Sequence, residues 1–451
     1  MHVLLVSTYD LGRQPTGLAR PAARLRQAGA EVTCVDVSRD PLDDAAIAAA
    51  DLIAFYLPMH TATRLAAPLI GRARAGNPAV RLAAYGLYAP LNSGWLRAQG
   101  VEHVLGPEAD VELLALLRGD AEAAPPRGRL EFVQPDRTAL PALARYAALQ
   151  MPDGTRRVVG STDATHGCKH LCRHCPIVPV YQGRFRAVPL DVVIADIRAQ
   201  MAAGAQHITF GDPDFFNGPT HARRLVERLA AEFPGLTYDA TIKVEHLLAH
   251  ADLLPLLRAT GCLFVTSAVE SLDDATLEKL RKGHTRADVV RAVGICRDAG
   301  VTLSPTFVPF TPWTTRAGYR DLLRQIDELD LVEAVAPIQL GIRLLVTADS
   351  ALLELEDIRS IVGAFDAASL MFPWRHEDTG VDALQVQVMR LVGLLAGRPR
   401  TEVFDAIVAL EAGGLSPAAT APRTARGRTP PYLTEGWYCC AEPGPEQLET
   451  M

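Results

Sequence analysis

Short apolar segments alternate with longer amphipathic segments from the start of the chain. Apolar runs of strand length begin at Val3, Glu31, Leu52 and Val80, with helical patterns between them and a closing helix predicted over Glu108–Leu117. This alternation is typical of a parallel sheet with helices on both faces. The sequence therefore predicts a doubly wound, Rossmann-like α/β domain over residues 1–120.

A second and more regular alternation begins at Val158 and occupies residues 151–350. Six β-α units of this length suit a (βα)6 partial TIM barrel, whose ligands gather at the carboxyl ends of the strands. The predicted strands are Val158–Thr162, His207–Phe210, Thr237–Ile242, Leu263–Ala268, Thr302–Val308 and Pro337–Leu345.

Three further segments complete the predicted organisation. Residues 121–150 are rich in Pro, Ala and Arg and are interpreted as a linker. Residues 351–412 form a helical C-terminal region, with helices expected over Leu352–Ala368, Val381–Leu395 and Glu402–Ala412. Residues 413–451 are expected to be an irregular tail.

Composition narrows the class of protein. Hydrophobic residues make up 49% of the 451 positions and charged residues 22%, as in soluble globular proteins. The formal net charge of −7 disfavours a nucleic-acid partner, which needs a cationic surface. No apolar run approaches the roughly 20 residues that span a bilayer, and no cationic leader precedes the first apolar run. We therefore expect no membrane partner and a cytoplasmic location.

The most specific motif is a cluster of three cysteines. Cys168, Cys172 and Cys175 have C-x3-C-x2-C spacing and follow the first predicted barrel strand. Three thiolates on one tight loop can ligate three irons of a cubane and leave the fourth iron open to another ligand. The alternative is a structural zinc site completed by His166, His170 or His174. The position at the end of the first strand of a β-α series favours the 4Fe–4S cluster.

With this motif in this place, residues 150–345 resemble the radical S-adenosylmethionine (SAM) superfamily. The resemblance implies an enzyme in which the open iron chelates SAM, and one electron then cleaves a carbon–sulfur bond to release a carbon radical. It also implies an electron donor such as a flavodoxin or a ferredoxin.

Further site residues follow from the resemblance and from the strand ends. Gly211, Asp212 and Asp214 stand where family members place a Gly-Gly-Glu-like turn against the methionyl ammonium, with Asp212 preferred over Asp214. Glu270 and Ser271 resemble a pair that reaches the ribose or carboxylate of SAM, although a helix cap is the alternative. Two cations near strand ends complete the predicted cofactor- or substrate-binding set, Lys243 and Arg343.

The N-terminal domain resembles the cobalamin-binding module of one branch of this superfamily. Cobalt ligation by the protein would require an Asp-x-His-x-x-Gly loop after the first strand. The chain has Ser7-Thr8-Tyr9-Asp10-Leu11-Gly12 there, without a histidine. The prediction is that the lower axial ligand is absent, so cobalamin either binds without protein ligation or has been lost, and loss is favoured.

The C-terminal tail carries adjacent thiols among aromatic residues. Cys439 and Cys440 follow Trp437 and Tyr438, and two neighbouring thiolates make a compact ligand pair for a soft metal or metalloid. The ending Cys-Cys-Ala-Glu-Pro resembles a group of radical SAM proteins named for that tail, and arsenic-handling radical enzymes are similar in having thiol-rich C-terminal motifs. We predict that Cys439 or Cys440 is catalytic and meets the substrate radical or a bound soft atom.

The leading hypothesis is therefore a radical SAM enzyme that modifies a small molecule, with transfer to a thiophilic or metalloid acceptor as one reaction. A tRNA-modifying radical SAM enzyme is the weaker alternative, because no basic accessory domain is evident. A non-catalytic metal or redox sensor is the alternative from another class.

Overall fold

The computed structural model describes residues 1–119, 130–413 and 430–435. The N-terminal region is a five-stranded parallel sheet of strand order β2-β1-β3-β4-β5, the order of flavodoxin-like doubly wound folds. Its strands are β1 His2–Ser7, β2 Glu31–Asp36, β3 Leu52–Tyr56, β4 Arg81–Tyr85 and β5 His103–Val104. Its helices are α1 Thr16–Gln27, α2 Asp44–Ala49, α3 His60–Gly76, α4 Tyr88–Leu91, α5 Ser93–Ala98 and α6 Asp110–Arg118.

Strand β1 shows why this sheet is covered on both sides. Leu4 and Val6 pack into one apolar cluster, and Val3 and Leu5 pack into another on the opposite face. Successive side chains of a strand point to opposite faces, so a strand with a continuous apolar run needs a covering layer of helices on both faces of the sheet. The predicted doubly wound α/β domain is confirmed.

The second region is a curled, seven-stranded sheet. Five parallel strands form its barrel part and run side by side in the order β7-β10-β11-β12-β13. These are β7 Arg156–Thr162, β10 His207–Phe210, β11 Thr237–Thr241, β12 Cys262–Glu270 and β13 Thr302–Phe307. Two antiparallel strands, β6 Ala148–Gln150 and β14 Tyr432–Leu433, extend its edge at β7. A separate pair is formed by β8 Thr165–Gly167 and β9 Phe185–Ala187.

Helices cover the outer face of this sheet and bury a large apolar core against it. The partial barrel is confirmed as the fold. The helices of this region are α7 Ile177–Tyr181, α8 Leu190–Ala202, α9 Pro219–Glu232, α10 Val244–Ala249, α11 Leu254–Ala259, α12 Asp274–Lys279, α13 Arg286–Asp298 and α14 Arg316–Glu328, with 3-10 turns at Leu143–Arg145, Phe215–Asn217 and Ala251–Leu253.

The predicted sixth strand, Pro337–Leu345, is wrong. Pro337–Leu340 forms a 3-10 helix, and in the predicted range only Arg343 makes a β-bridge, with Phe310. Pro337 has no N–H to give to a ladder, which removes the start of the predicted strand. The sixth barrel position is therefore a single bridged residue.

The C-terminal region is less helical than the sequence indicates. The predicted helix Leu352–Ala368 is wrong, because a 3-10 helix Ala351–Glu354 and a short helix α15 Glu356–Arg359 are followed by β-bridges. The Gly363 N–H donates to the Pro373 carbonyl oxygen at 2.7 Å, so a residue outside the predicted helix replaces the carbonyl four residues earlier as the acceptor. The other two expected helices are present as α16 Thr379–Leu394 and α17 Arg400–Glu411.

Two strands lie outside the predicted barrel boundaries. β6 belongs to the segment interpreted as a linker, and β14 belongs to the tail. Because β6 runs antiparallel to both β7 and β14, β14 runs in the direction of β7, toward the carboxyl ends of the barrel strands. None of the described helices has the length and apolar character needed to span a membrane.

Candidate active site

The cysteine loop begins where β8 ends, near the carboxyl end of β7. Gly167 holds φ at 79°, and a Cβ there would lie 2.4 Å from Tyr181 and 2.5 Å from the Arg184 carbonyl oxygen, so only glycine fits. Cys168 and Cys172 are buried, Cys175 is half-buried, and the Cys175 N–H donates to the Cys172 carbonyl at 3.1 Å. The loop thus directs all three thiols from one tight turn.

The spacing of the sulfurs distinguishes the two metal sites considered for them. A tetrahedral zinc site with Zn–S bonds of about 2.3 Å brings its sulfurs to about 3.8 Å from one another. Within residues 1–119, 130–413 and 430–435, the cysteine trio does not form a group whose ligand atoms all lie within 4.8 Å of one another. The loop is therefore more open than a closed zinc site. Burial also raises the pKa of the Cys168 thiol to about 11, so a bound metal would be needed to keep it a thiolate.

Glu270 sits at the end of β12 and faces the cysteine loop. Its carboxylate lies 3.3 Å from His174 Nε2 and 3.4 Å from Lys282 Nζ, and its backbone has the left-handed φ of 68°. Although burial opposes ionisation, Lys282 and His174 hold the pKa of Glu270 at about 2. A buried, ionised carboxylate on strained backbone is typical of a functional site.

Lys243 and Glu245 follow β11 at the same end of the barrel. Lys243 Nζ lies 2.5 Å from Glu245 Oε2, and Lys243 is buried. Glu245 in turn packs on Gly283, where a Cβ would lie 2.4 Å from Glu245 Oε1. The glycine at 283 therefore makes room for a carboxylate beside the cysteine loop.

The two aspartates after β10 have different surroundings. Asp212 accepts hydrogen bonds from the Ala164 N–H at 2.8 Å and from Thr165 Oγ1 at 2.6 Å, so both of its oxygens have partners. Burial raises its pKa to about 7. Gly211 stands beside it, and a Cβ there would lie 2.3 Å from Asp163 Oδ1, so a larger residue would displace the Asp163 side chain. Asp212 thus fixes the turn that carries the cysteine loop.

Asp214 faces two imidazoles. Its Oδ1 accepts from the Phe216 N–H at 3.1 Å, while Oδ2 lies 3.2 Å from His170 Nε2 and 2.5 Å from His246 Nδ1. Burial opposes ionisation, but the two imidazoles hold the pKa of Asp214 at about 2. The structure therefore places Asp214, rather than Asp212, among groups with unused polar atoms.

The remaining predicted residues that the structure describes, Ser271 and Arg343, are bonded to other parts of the fold. Ser271 Oγ accepts from the Asp273 N–H at 3.0 Å, in the turn that leads to the helix cap of α12. Arg343 donates to Asp382 at 2.6 Å and stacks on Trp374, which ties it to the C-terminal region. Cys439 and Cys440 lie outside the described residues.

Three residues of the site fall outside the predicted cofactor- and substrate-binding set: His246, Lys282 and His284. His246 lies on α10, close behind the carboxyl end of β11, and the strand-end rule that selected Lys243 applies to it as well. Lys282 and His284 follow α12 and reach Glu270 and the Val269 carbonyl at 3.4 and 3.3 Å. A helix separates them from β12, so the strand-end rule does not reach them.

The residues at this end of the barrel suit a bound group, because several of their buried polar atoms lack partners. Native proteins pair nearly all buried polar atoms, so a concentration of orphaned ones indicates a missing ligand. Among the described residues, buried side-chain atoms without a hydrogen-bond partner surround the cysteine loop at His170 Nε2, Arg173 Nε, His174 Nδ1, Asp214 Oδ2, His246 Nδ1 and His284 Nδ1.

The N-terminal domain meets the barrel through direct side-chain contacts. His166 Nδ1 lies 2.9 Å from Glu108 Oε1, Tyr181 donates to Glu108 at 2.9 Å, and Arg20 Nη1 lies 2.9 Å from the same imidazole. Val180 of α7 packs against the N-terminal core. Two cavities along this interface have volumes of about 10 and 20 Å³, room for a water at most. Neither of these two cavities has room for a corrin ring.

Three cysteines on a loop at the carboxyl end of the first strand of a partial barrel define the class of a radical SAM domain. Residues 163–326 match the family model of the Radical SAM superfamily. The chain therefore carries a radical SAM domain, and enzymes with this domain use a 4Fe–4S cluster and SAM. These expectations are confirmed.

Sequence similarity extends to enzymes that transfer methylthio or methyl groups. The chain is 26% identical over 224 residues to tRNA-2-methylthio-N(6)-dimethylallyladenosine synthase of Chlorobium luteolum, covering 47% of each chain. It is 24% identical over 176 residues to the ribosomal protein uS12 methylthiotransferase RimO of Geobacter sulfurreducens, covering 36% of this chain and 38% of the relative. The chain spans about half the length, or less, of these curated relatives.

The fold is shared with cobalamin-dependent radical SAM enzymes of known structure. One is OxsB with aqua-cobalamin bound, with a TM-score of 0.67 and 12% identity over 89% of this chain and 68% of that chain. Another is the methyltransferase TsrM of Kitasatospora setae with tryptophan and a SAM analogue, with a TM-score of 0.56 and 19% identity over 73% and 71% of the two chains. The resemblance to a branch with a cobalamin-binding-like N-terminal domain is confirmed at the level of the fold.

Proposed function

We propose that this protein uses a 4Fe–4S cluster and SAM to modify a small molecule by radical chemistry inside the barrel. The observation that carries the proposal is the loop of three buried or half-buried cysteines at the carboxyl ends of the strands, with the buried, ionised carboxylate of Glu270 facing it. When bound, the cluster and SAM supply reductive cleavage of a carbon–sulfur bond. The side chains of the protein bind and position these two groups.

Cys168, Cys172 and Cys175 hold the cluster and leave one iron open for SAM. Glu270, with Lys282 beside it, is placed to bind polar groups of SAM, because it is an ionised carboxylate with a left-handed backbone that turns it toward the loop. Gly211 supplies close backbone approach. Asp212 and Lys243 act as positioning residues, since each is buried and already bonded to protein partners.

The barrel interior favours a small polar substrate. Ile208, Phe210 and Val265 point outward into the apolar core, so the alternate positions of β10 and β12 face inward. In register with these, many inward positions of the four strands β10 to β13 carry hydroxyl or other polar groups. They include His207, Thr209, Thr237, Asp239, Thr241, Thr266, Ser304 and Thr306.

The tail cysteines are proposed to serve a thiophilic acceptor. β14 runs toward the carboxyl ends of the barrel strands, and Thr434 and Glu435 continue past it, with the Thr434 N–H donating to the Ala148 carbonyl at 2.9 Å. Cys439 and Cys440 follow Glu435 by four and five residues, so they are tethered within roughly 14–18 Å of it. Replacement of both by serine should abolish product formation and leave SAM cleavage intact. Unchanged turnover would remove this role.

We also propose that the chain works without a corrinoid. The loop after β1 lacks the Asp-x-His-x-x-Gly histidine, and the described contacts between the N-terminal domain and the barrel leave water-sized cavities. Protein produced with supplied hydroxocobalamin should be purified without it. Stoichiometric corrinoid in the extract would refute this part and leave the radical chemistry standing.

The main test is anaerobic reconstitution with iron and sulfide, followed by reduction with dithionite or a reduced flavodoxin in the presence of SAM. We expect a cubane absorption spectrum, about four irons per chain and 5′-deoxyadenosine or another cleavage product. Cys172→Ala should lose both the spectrum and the product, while Cys34→Ala, a buried thiol of the N-terminal sheet, should keep them. Zinc without iron, and no cleavage, would establish the sensor alternative.

A second candidate function is modification of tRNA. It is favoured by the sequence similarity of the barrel to a tRNA methylthiotransferase, although that relative is matched over 47% of its length. Incubation of the reduced holoenzyme with tRNA, followed by nucleoside analysis, tests it. A modified nucleoside formed in proportion to SAM cleavage would replace the small-molecule proposal.

A further inference from the structure

Three potential metal ligands lie beside the cysteine loop, and none of them is needed to hold the 4Fe–4S cluster. His170 comes from the loop itself, Asp214 from the turn after β10, and His246 from α10 after β11. Among the described residues, their ligand atoms form the group of three that all lie within 4.8 Å of one another. We propose that these residues bind a divalent metal ion of the zinc or iron(II) class, separate from the 4Fe–4S cluster.

The donor atoms are the ones left without partners. His170 Nε2, Asp214 Oδ2 and His246 Nδ1 are each buried and none makes a hydrogen bond of acceptable geometry within the described chain. Asp214 is fully buried, and its other oxygen is already taken by the Phe216 N–H. The oxygen that is unsatisfied is therefore the one aimed between the two imidazoles.

The distances suit a shared ion. Ligand atoms about 2.1 Å from a tetrahedral or octahedral ion lie about 3.0–3.4 Å from one another. The separation of Asp214 Oδ2 from His170 Nε2 is 3.2 Å, within that range. The separation from His246 Nδ1 is 2.5 Å, and a small rotation of the imidazole would open it.

The surroundings of His170 match those of a metal-bound histidine. Imidazole ligands usually present their other ring nitrogen to a carboxylate, which fixes the ring and raises its basicity. His170 Nδ1 lies 3.4 Å from Glu245 Oε2. Two imidazoles and one carboxylate are the ligand set of open zinc and iron(II) sites, which keep positions free for water or a substrate oxygen or nitrogen.

The competing interpretation is an ion pair only, in which Asp214 is shared by two protonated imidazoles. The metal site and the ion pair make different predictions: only the metal site requires that the chain bind a metal ion and that the binding need all three residues. Because His170 lies between Cys168 and Cys172, the measurement has to be separated from uptake by the cysteines.

The experiment therefore uses the full chain with all three cluster cysteines replaced by alanine, which cannot assemble the 4Fe–4S cluster. After chelation and dialysis, it is titrated with Co(II) and with Zn(II), followed by optical spectra and calorimetry. We expect one equivalent of Co(II) with the spectrum of nitrogen and oxygen ligation and without a thiolate charge-transfer band. In the same background, which lacks the three cluster cysteines, Asp214→Asn or His246→Ala should abolish Co(II) binding. Glu245→Gln should weaken the affinity for Co(II) about 10- to 100-fold.

The matched control is His250→Ala in the same background, because the His250 ring lies 5.9 Å from that of His246 and is outside the ligand group. It should bind like its parent. Absence of stoichiometric binding in the parent, or equal binding after Asp214→Asn, would overturn the proposal and establish an ion pair only. Wild-type protein gives a second readout: after reconstitution, zinc or iron beyond four irons per chain should vanish with His246→Ala. Failure of SAM cleavage would not affect either result.

Discussion

Arg137 joins the N-terminal domain, the connecting segment and the barrel through one guanidinium group. It forms a two-pronged ion pair with Asp196 at 2.8 and 2.9 Å and donates to the Ser161 carbonyl at 2.7 Å and to Gln14 at 3.0 Å. The side chain of Asp196 is 1% exposed and that of Arg137 is 9% exposed. Arg137→Ala would therefore leave a buried carboxylate without its counter-ion. Removal of one partner of such a pair costs about 3–5 kcal/mol.

The expected consequence is a large loss of stability. For a domain of this size, 1 kcal/mol shifts the unfolding temperature by roughly 2–4 °C, so Arg137→Ala should lower it by at least about 6 °C. Calorimetry is the suitable assay, because several domains unfold and a single transition need not describe them. Arg137→Lys keeps the charge but not the two-pronged geometry, and should lie between the alanine variant and the wild type.

Two comparisons make the reasoning falsifiable. The double variant Arg137→Met, Asp196→Leu removes both charges and should regain at least half of the loss, because the unpaired carboxylate is gone. Arg398→Ala, which breaks an exposed and solvent-screened pair with Glu402, should leave the unfolding temperature nearly unchanged. A loss for Arg137→Ala no greater than that for Arg398→Ala would refute the argument.

Two further predictions concern the N-terminal domain. Burial, with Asp110 and Glu108 adding to it, raises the pKa of Glu112 to about 7, so the folded state binds a proton that the unfolded state has released above its ordinary pKa. Stability from this group is full below about pH 4.5 and is lost as pH rises through 7. Thermal unfolding from pH 5 to 8 should show a decline in stability that is smaller in Glu112→Gln, because Asp212, whose pKa is also raised to about 7, still contributes. A decline of the same size in both proteins would contradict the assignment. Gly86 has φ of 110°, and a Cβ there would lie 2.7 Å from the Leu57 carbonyl oxygen, so Gly86→Ala should cost about 1–3 kcal/mol in thermal denaturation. Gly94→Ala, where a Cβ meets nothing within 4 Å, is the control and should be neutral or stabilising.

Strand prediction succeeded where the apolar pattern is buried and local. His207–Phe210 was predicted with its observed bounds, and four other barrel strands to within two residues at either end, because strands between helices are short apolar runs with clear limits. The pattern failed over Pro337–Leu345 and Leu352–Ala368. Both segments are apolar, but their backbone partners lie outside the segments themselves, as the Phe310–Arg343 bridge and the Gly363–Pro373 hydrogen bond show. A periodicity cannot indicate a partner that lies outside its own window.

The candidate site divides in the same way. The cysteine loop is contained in eight consecutive residues, so spacing alone identified it. The preference for Asp212 over Asp214 rested on order in sequence, whereas the structure satisfies both oxygens of Asp212 and leaves one oxygen of Asp214 between two histidines. His246 is three residues beyond the predicted Lys243 and was not predicted, since nothing local shows which side chains of a helix turn toward a neighbouring loop.

The sequence by itself determined the cysteine motif and its place at the end of the first barrel strand, which together favour a 4Fe–4S cluster over a zinc site. It also determined the order of the two α/β domains, because alternating apolar and amphipathic segments have few ways to bury their faces. Only the tertiary structure decided which polar groups share a space, such as His170, Asp214 and His246. Those contacts depend on how separate β-α units pack against one another. Packing sets the positions of side-chain atoms to within about an ångström, and the periodicity of a sequence segment does not contain that information.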